Sequence, residues 1–349
     1  MASFLASHVE ALLIFQGILA GFLQGLTFTP VITWLPQWWD KRVGFASGVL
    51  LSGSGLGGTV FPILIGKFLD RVGFQWTLRI SAAWTCTIGI VAALLLKPRL
   101  PITKPTTESR NWVKAIAPDG LRSLLHPFSL MQTAVVLTQS GVWCTISLYL
   151  ATWTSSLGFS STASTGVLAS FNAASTIGYL GWGRLIDSVP YLYLMAISGL
   201  ICSLSCFLLL GFSHSLPLII MFSLLFGSAG GGFTTFLTPI SKEIGAMYNC
   251  EIAPLYLGIV FLRGVAAIVG PLIGSSLYDR RTAGWSIYGT RGFRGVVIYV
   301  GAGMLHTVIL ALIARVQQKR LNQRTNLIFV NRRDATTGRQ PWLRRSEPR

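Results

Sequence analysis

Apolar residues in this chain fall in long unbroken runs, and polar residues are confined to the breaks between them. A helix needs about 20 apolar residues to cross a hydrocarbon core of about 30 Å. Nine runs reach that length, at approximately 11–36, 44–69, 75–96, 128–153, 161–186, 190–212, 215–239, 253–277 and 295–315. Most breaks are short. A longer one, residues 97–126, carries prolines at 98, 101, 105 and 118, and a basic tail follows the last run. The pattern predicts an all-α membrane protein with nine transmembrane helices. Residues 1–97 hold three spans, 98–126 form a cytosolic linker, 127–316 form a six-helix bundle, and 317–349 form a basic cytosolic tail.

The second run opens unusually. Asp40-Lys41-Arg42 ends the first run, and residues 43–58, VGFASGVLLSGSGLGG, follow at once. Glycine costs about 1 kcal/mol against alanine in a helix in water. Lipid tails give helices no hydrophobic reason to associate, whereas small residues let backbones approach closely. Gly44/Gly48 and Gly53/Gly57 are two pairs at the GxxxG spacing, with Ser47, Ser54 and Gly58 as further small sites. A tightly packed helix is expected here, with sliding or rocking against its neighbour as the functional extension.

Composition agrees with a membrane setting. Only 11% of the 349 residues are charged and 52% are hydrophobic, against roughly 25% charged in soluble domains. The net charge of +17 would ordinarily suggest nucleic acid. Here the basic residues lie between apolar runs and in the tail, which is the distribution of cationic cytosolic loops. A nucleic-acid partner is therefore not expected; the bilayer and a small-molecule solute are. Lys41, Arg42, the linker, Arg184, Lys242 and the tail share one side if the spans alternate, so that side is read as cytosolic and the amino terminus as non-cytosolic. Lys67, Arg71, Arg280, Arg281, Arg291 and Arg294 run against this majority. The five cysteines have no CxxC spacing, so neither a disulfide framework nor a zinc site is expected. No nucleophile–base pair, metal cluster or phosphate loop is recognisable, so no enzyme, cofactor or metal is expected. The sequence names no oligomeric state.

Shifted by 209 positions, the chain matches itself. Ala20-Gly21 meets Ala229-Gly230, Thr29-Pro30 meets Thr238-Pro239, and Gly55, Val60 and Pro62 meet Gly264, Val269 and Pro271. Asp70-Arg71 meets Asp279-Arg280, and Trp76 meets Trp285. Spans one to three then repeat as spans seven to nine, and spans four to six have no counterpart. Transporters are often built from two such halves with the substrate between them, which implies a six-plus-six plan present here as three plus six.

Three stretches carry a family likeness. WWDKRVGFASGVLLSGSGLGG (38–58) joins a basic, aromatic loop to a small-residue helix. LYLATWTSSLGFSSTASTGVLASFNAASTIGYLGWGRLID (148–187) contains a Ser-Leu-Gly turn, an Asn and a Gly-x-x-x-Asp ending. Arg263-Gly264 leads to Gly270-Pro271. The chain resembles the major facilitator superfamily, and within it the monocarboxylate transporter-like branch of fungi, from about residue 10 to 316. The resemblance implies that the present spans are helices four to twelve. It also implies a secondary carrier working by alternating access on a monocarboxylate or similar organic anion. A metabolite efflux carrier, or a truncated remnant or regulatory membrane protein that transports nothing, are the alternatives.

Arg263 is the leading site residue. A charge near the bilayer centre costs at least a few kcal/mol unless it faces protein or water, and no Asp or Glu lies mid-span to offset it. A substrate carboxylate would do so, held bidentately; pairing with backbone carbonyls and snorkelling toward the interface are the other readings. Asn172, Gln139, Trp143, Tyr149 and Thr234 are the further substrate-binding candidates, against interhelical hydrogen bonding and lipid-facing aromatics as the bland readings. Thr234 and Thr235 follow three glycines that invite local unwinding. Gln24 and His306 are weaker. Lys41, Arg42, Arg184 and Asp187 are candidates for a cytosolic gate, with Asp187 and Arg184 as a charge latch and Asp187 or Glu243 as gate partners of Lys41 and Arg42.

Overall fold

A computed structural model describes residue 10 and residues 13–39, 42–99, 122–279, 287–289 and 292–337. The described residues are helical with no strand. A π-helical turn, Leu13–Leu19, leads into α1 (Ala20–Trp38). The next is α2 (Val43–Leu95), and after the linker come α3 (Pro127–Ser156), α4 (Ser161–Ile186) and α5 (Tyr191–Leu204). The last four are α6 (Leu216–Gly231), α7 (Leu237–Tyr248), α8 (Ile252–Ser276) and α9 (Arg294–Thr337). A 3-10 segment, Gly232–Phe236, joins α6 to α7.

At 53 residues, α2 would be about 80 Å long if straight. It is not straight. Gly73 sits at φ 77 and ψ 172, a left-handed conformation that glycine adopts without steric cost. The arm after Gly73 returns alongside the arm before it, because the Trp38 indole N–H, five residues ahead of α2, donates to the Lys97 carbonyl at 3.3 Å. The break therefore makes a helical hairpin with arms of about 45 and 33 Å, each long enough to cross a bilayer.

By length and hydropathy, seven helices among the described residues are able to cross a membrane, counting 43–95 and 216–248 once each. Residues 161–186 are not among these seven. The chemistry of α4 explains its weaker hydropathy. It is rich in Ser, Thr and Gly, and it lies between α2 and α6, so two of its faces meet protein, while Ile177, Leu180 and Leu185 remain exposed.

The bundle from α3 to α9 holds the core. One cluster gathers Phe128, Val136, Met195, Phe233, Phe236 and Ile259, and another gathers Ile146, Phe171, Phe222, Phe226, Val297 and Val300. By contrast the π-helical turn exposes Ile18, α1 exposes Phe22 and Leu26, and the returning arm of α2 exposes Trp84, Ile90 and Leu94. In a bilayer those faces meet acyl chains, which cover them without help from protein.

The contact between α2 and α4 is a seam of small residues. Gly44 lies against Gly183 and Asp187, Gly48 against the Tyr179 carbonyl and Gly183, Gly55 against Thr176, and Gly58 against Asn172. The helices run antiparallel. Together with buried Leu51, these positions recur at alternating spacings of four and three, which keeps one helical stripe facing its partner. The expected pair Gly53/Gly57 takes no part: nothing lies within 4 Å of a Cβ at Gly53, and Gly57 meets only Phe61 of its own helix. Five residues beyond Gly48, Gly53 is rotated by about 140°, away from α4. No residue from 56 to 76 on α2 is buried. The two helices thus close against each other at the Val43–Asp187 end and part beyond Gly58 and Asn172.

Candidate functional site

Arg263 lies about 17 Å along α8 from Ile252, near the middle of the helix. It is half-buried, and its Nη2 donates to Thr234 Oγ1 at 2.8 Å. Thr234 is placed by the glycines before it. A side chain on Gly230 would overlap the Trp143 ring, on Gly231 Ser175, and on Gly232 Trp182 and the Gly178 carbonyl. Glycine alone lets α6 press this closely against α3 and α4. The helix then tightens to 3-10 over Gly232–Phe236 and presents Thr234 to α8.

Two other helices, and α8 itself, frame the guanidinium. On α3, Ser140 Oγ donates to the Arg263 carbonyl at 3.2 Å, and Cys144 lies within the field of the charge. On α4, the Tyr179 phenol faces Thr234 and Arg263. Tyr256, two turns before Arg263 on α8, is also within its field. No carboxylate pairs with Arg263 among the described side chains. There, Glu10, Asp70, Asp187, Glu251 and Asp279 are exposed, and only Glu243 is partly buried. Guanidinium carries five N–H donors, so one bond to a neutral hydroxyl leaves it able to take an oxyanion.

A family model described as Major Facilitator Superfamily matches residues 1–248. The chain belongs to the Major Facilitator Superfamily. Membership, with several helices of spanning length, makes it a multi-pass integral membrane protein. Its relatives are named as transporters. It is 28% identical to the MFS-type transporter pynF of Aspergillus niger over 83% of this chain and 64% of that protein. It is 24% identical to the Fujikurins efflux protein of Gibberella fujikuroi over 87% of this chain and 63% of that protein. It is 24% identical to Monocarboxylate transporter 12 of Rattus norvegicus over 93% of this chain and 70% of that protein. The chain thus spans less than two thirds of the length of the first two.

In this Major Facilitator Superfamily chain the six sequence-predicted binding residues fall in four places. Arg263 and Thr234 meet directly. Gln139 and Trp143 converge on Gly230: Gln139 Nε2 donates to its carbonyl at 3.1 Å, and Trp143 stacks between Phe171 and Phe226 at 4.6 and 5.8 Å. Both serve helix packing, although the buried Oε1 of Gln139 has no partner. Tyr149 donates to the Pro271 carbonyl at 3.4 Å, about 12 Å along α8 from Arg263. Asn172 lies on the seam, with its amide donating to Leu168 of its own helix at 2.9 Å and its side chain against Gly58. Tyr179, Cys144 and Ser140 were missed. The signal for Tyr179 was its place seven residues from Asn172, on the same stripe of α4.

The expected cytosolic gate takes a different form. Asp187 does not use its carboxylate on Arg184 or Arg42. Oδ1 accepts from the Gly44 N–H at 2.9 Å and Oδ2 from the Phe45 N–H at 3.0 Å. The first N–H groups of a helix lack intrahelical partners, and their partial positive charge draws the carboxylate. Arg42 and Arg184 are exposed, and Lys41 lies outside the described residues. Glu243 accepts from the Tyr191 hydroxyl and from the Gln318 amide, and Arg315 donates to Gln318. These bonds tie α5, α7 and α9 together at one end of the bundle. Of the weaker candidates, His306 Nδ1 lies 3.4 Å from the Thr138 hydroxyl, a contact between α9 and α3.

Proposed function

We propose that this chain acts as a secondary carrier for a small organic anion, a monocarboxylate or a similar carboxylate, with Arg263 supplying the counter-charge and Thr234 its resting partner. One observation carries the reading. Arg263 is half-buried near the middle of a membrane helix, and its recorded bond goes to a neutral hydroxyl. Leaving a charge so placed costs a few kcal/mol, and a substrate carboxylate removes that cost by bidentate pairing.

Alternating access fits the shape of the seam. The α2–α4 contact is closed from Gly44 to Gly58 and open beyond it, so the two sides of the protein are not equivalent. Among the described residues, counting the hairpin of α2 as two crossings, α6 with α7 as one, and α4 as a further crossing supports a reading of nine spans, three before the linker and six after it. The basic linker and tail mark the closed end as cytosolic, which makes the arrangement outward-facing. Two relatives favour export as the direction, since their printed names are the Fujikurins efflux protein and the Aspyridones efflux protein apdF.

The test is reconstitution of the full chain into liposomes with labelled monocarboxylates on either side. Flux that Arg263→Ala abolishes, with insertion intact, supports the carrier reading. Undiminished flux in Arg263→Ala removes Arg263 from the site. Binding without flux in the wild type favours the non-transporting alternative.

A further inference from the structure

We propose that Tyr179 is the positioning residue through which an anion held by Arg263 acts on the α2–α4 seam; the proposal rests on the reading of Arg263 as the anion site.

Tyr179 belongs to both places at once. Its phenol faces Thr234 and Arg263, while its backbone carbonyl fills the notch that Gly48 leaves in α2. One turn on, Gly183 lies against Gly44 and Gly48. The stripe Asn172, Thr176, Tyr179, Gly183 therefore carries the seam, and the Tyr179 phenol on it lies beside Thr234 and within the field of the guanidinium. The seam is a backbone-to-backbone contact, so α4 cannot shift at Tyr179 without displacing or opening the contact at Gly48.

The site's own hydrogen bonds supply the coupling. Arg263 donates to Thr234. A carboxylate that binds bidentately takes two of the guanidinium N–H groups and competes with that bond. Thr234 Oγ1 then loses its cationic donor. The neighbouring phenol O–H is then able to donate to it, which draws Tyr179 toward α8. A ligand shifts a conformational equilibrium only through interactions that differ between the two states. The Tyr179 bond is such an interaction, because it forms on binding and acts on the helix that closes the seam. The ligand class this device serves is an oxyanion with two accepting oxygens; an uncharged isostere leaves Arg263 on Thr234 and the seam unmoved.

The experiment uses the full chain in lipid nanodiscs, with benzoate as the probe and benzyl alcohol as the uncharged control. Calorimetry reads benzoate affinity, and hydrogen–deuterium exchange over residues 43–58 and 172–187 reads the seam. In the wild type benzoate changes seam exchange by about fivefold or more, a population shift of about 1 kcal/mol, and benzyl alcohol does not. Tyr179→Phe keeps benzoate affinity within about threefold and loses the seam response. Thr234→Val, which removes the hydroxyl between the two side chains, is read at saturating benzoate whatever its affinity; it also loses the seam response and serves if Tyr179→Phe melts early. A seam response in both variants equal to the wild type overturns the proposal. So does a loss of affinity in Tyr179→Phe as complete as in Arg263→Gln, which makes Tyr179 a direct ligand. Benzoate binding undiminished in Arg263→Gln sinks the anion-site reading instead, and a wild type that does not bind benzoate sinks both.

Discussion

The Asp187 carboxylate at the end of α4 spans the N–H groups of Gly44 and Phe45 at 2.9 and 3.0 Å, joining residues 143 and 142 positions apart in sequence. It caps a helix of the other half of the molecule. Loss of a side-chain cap costs about 1 kcal/mol, within a range of about 0.5–2. Asp187→Ala is therefore expected to loosen the closed end of the seam. A cysteine in place of Ser47, which is buried there, should react with a maleimide about fivefold faster in Asp187→Ala, the ratio corresponding to about 1 kcal/mol. Asp187→Asn keeps an acceptor but not the charge, and should fall between. Peptide-resolved mass spectrometry separates this label from the native cysteines, and an unchanged rate would refute the capping role.

Gly48 and Gly53 lie on one helix and should behave oppositely. A methyl group at Gly48 overlaps the Tyr179 carbonyl, which is backbone and unable to move aside alone. Gly48→Ala should cost about 1–3 kcal/mol as overpacking. Gly53 has open space, and Gly53→Ala gains helix propensity of up to about 1 kcal/mol. Thermal unfolding of the two variants in the same detergent is the measurement. Equal shifts in both would mean that the seam is not where these contacts place it.

That contrast shows what the sequence reveals and what it hides. Glycine enrichment in 43–58 is visible in the letters, and it marks close packing because only small residues allow it. Which glycines pack depends on the face that α4 occupies, and that is a tertiary fact. Only one of the two GxxxG pairs lies on that face. Arg263 stood out because a charge in a 25-residue apolar helix has no cheap local explanation. Tyr179 did not stand out, because an aromatic near a helix end reads equally as an interfacial anchor. Its role comes from two contacts made by different parts of the same residue. Asp187 was legible as a functional charge but not in its role, because backbone N–H groups leave no trace in a sequence.

Gly73 sets the hairpin of α2. A residue with a Cβ pays about 1–3 kcal/mol to hold this positive φ with extended ψ, a region nearly confined to glycine, so Gly73→Ala should destabilise the turn by that order, and Gly73→Val by more. The reporter is the approach of Trp38 to Lys97. Cysteines at positions 38 and 97 should cross-link with a short bifunctional maleimide in the parent chain, and the yield should drop several-fold with Gly73→Val. A cross-link that forms equally well in Gly73→Val would show that the hairpin does not depend on the glycine.

Glu243 lies at the centre of the bonds that tie α5, α7 and α9 at one end of the bundle from α3 to α9. Tyr191 and Gln318 both donate to it, and Arg315 reaches it only through Gln318. Its donors are neutral, so hydrogen bonding rather than ion pairing holds the cluster. The two kinds of bonding predict different mutational orders. Glu243→Gln preserves size and one accepting oxygen, and should cost under about 1 kcal/mol if the bonds matter more than the charge. Glu243→Leu leaves the Tyr191 hydroxyl and the Gln318 amide without acceptors in a largely dry site, at about 1–3 kcal/mol for each orphaned group. Adding Tyr191→Phe to Glu243→Leu removes one orphan and should recover part of that loss, a coupling that only a shared bond produces. Chemical denaturation of the wild type, Tyr191→Phe, Glu243→Leu and the double variant gives the cycle, with Glu243→Gln measured beside them. If Glu243→Gln proves as damaging as Glu243→Leu, the carboxylate's charge, balanced by Arg315 across Gln318, is what stabilises this end of the bundle.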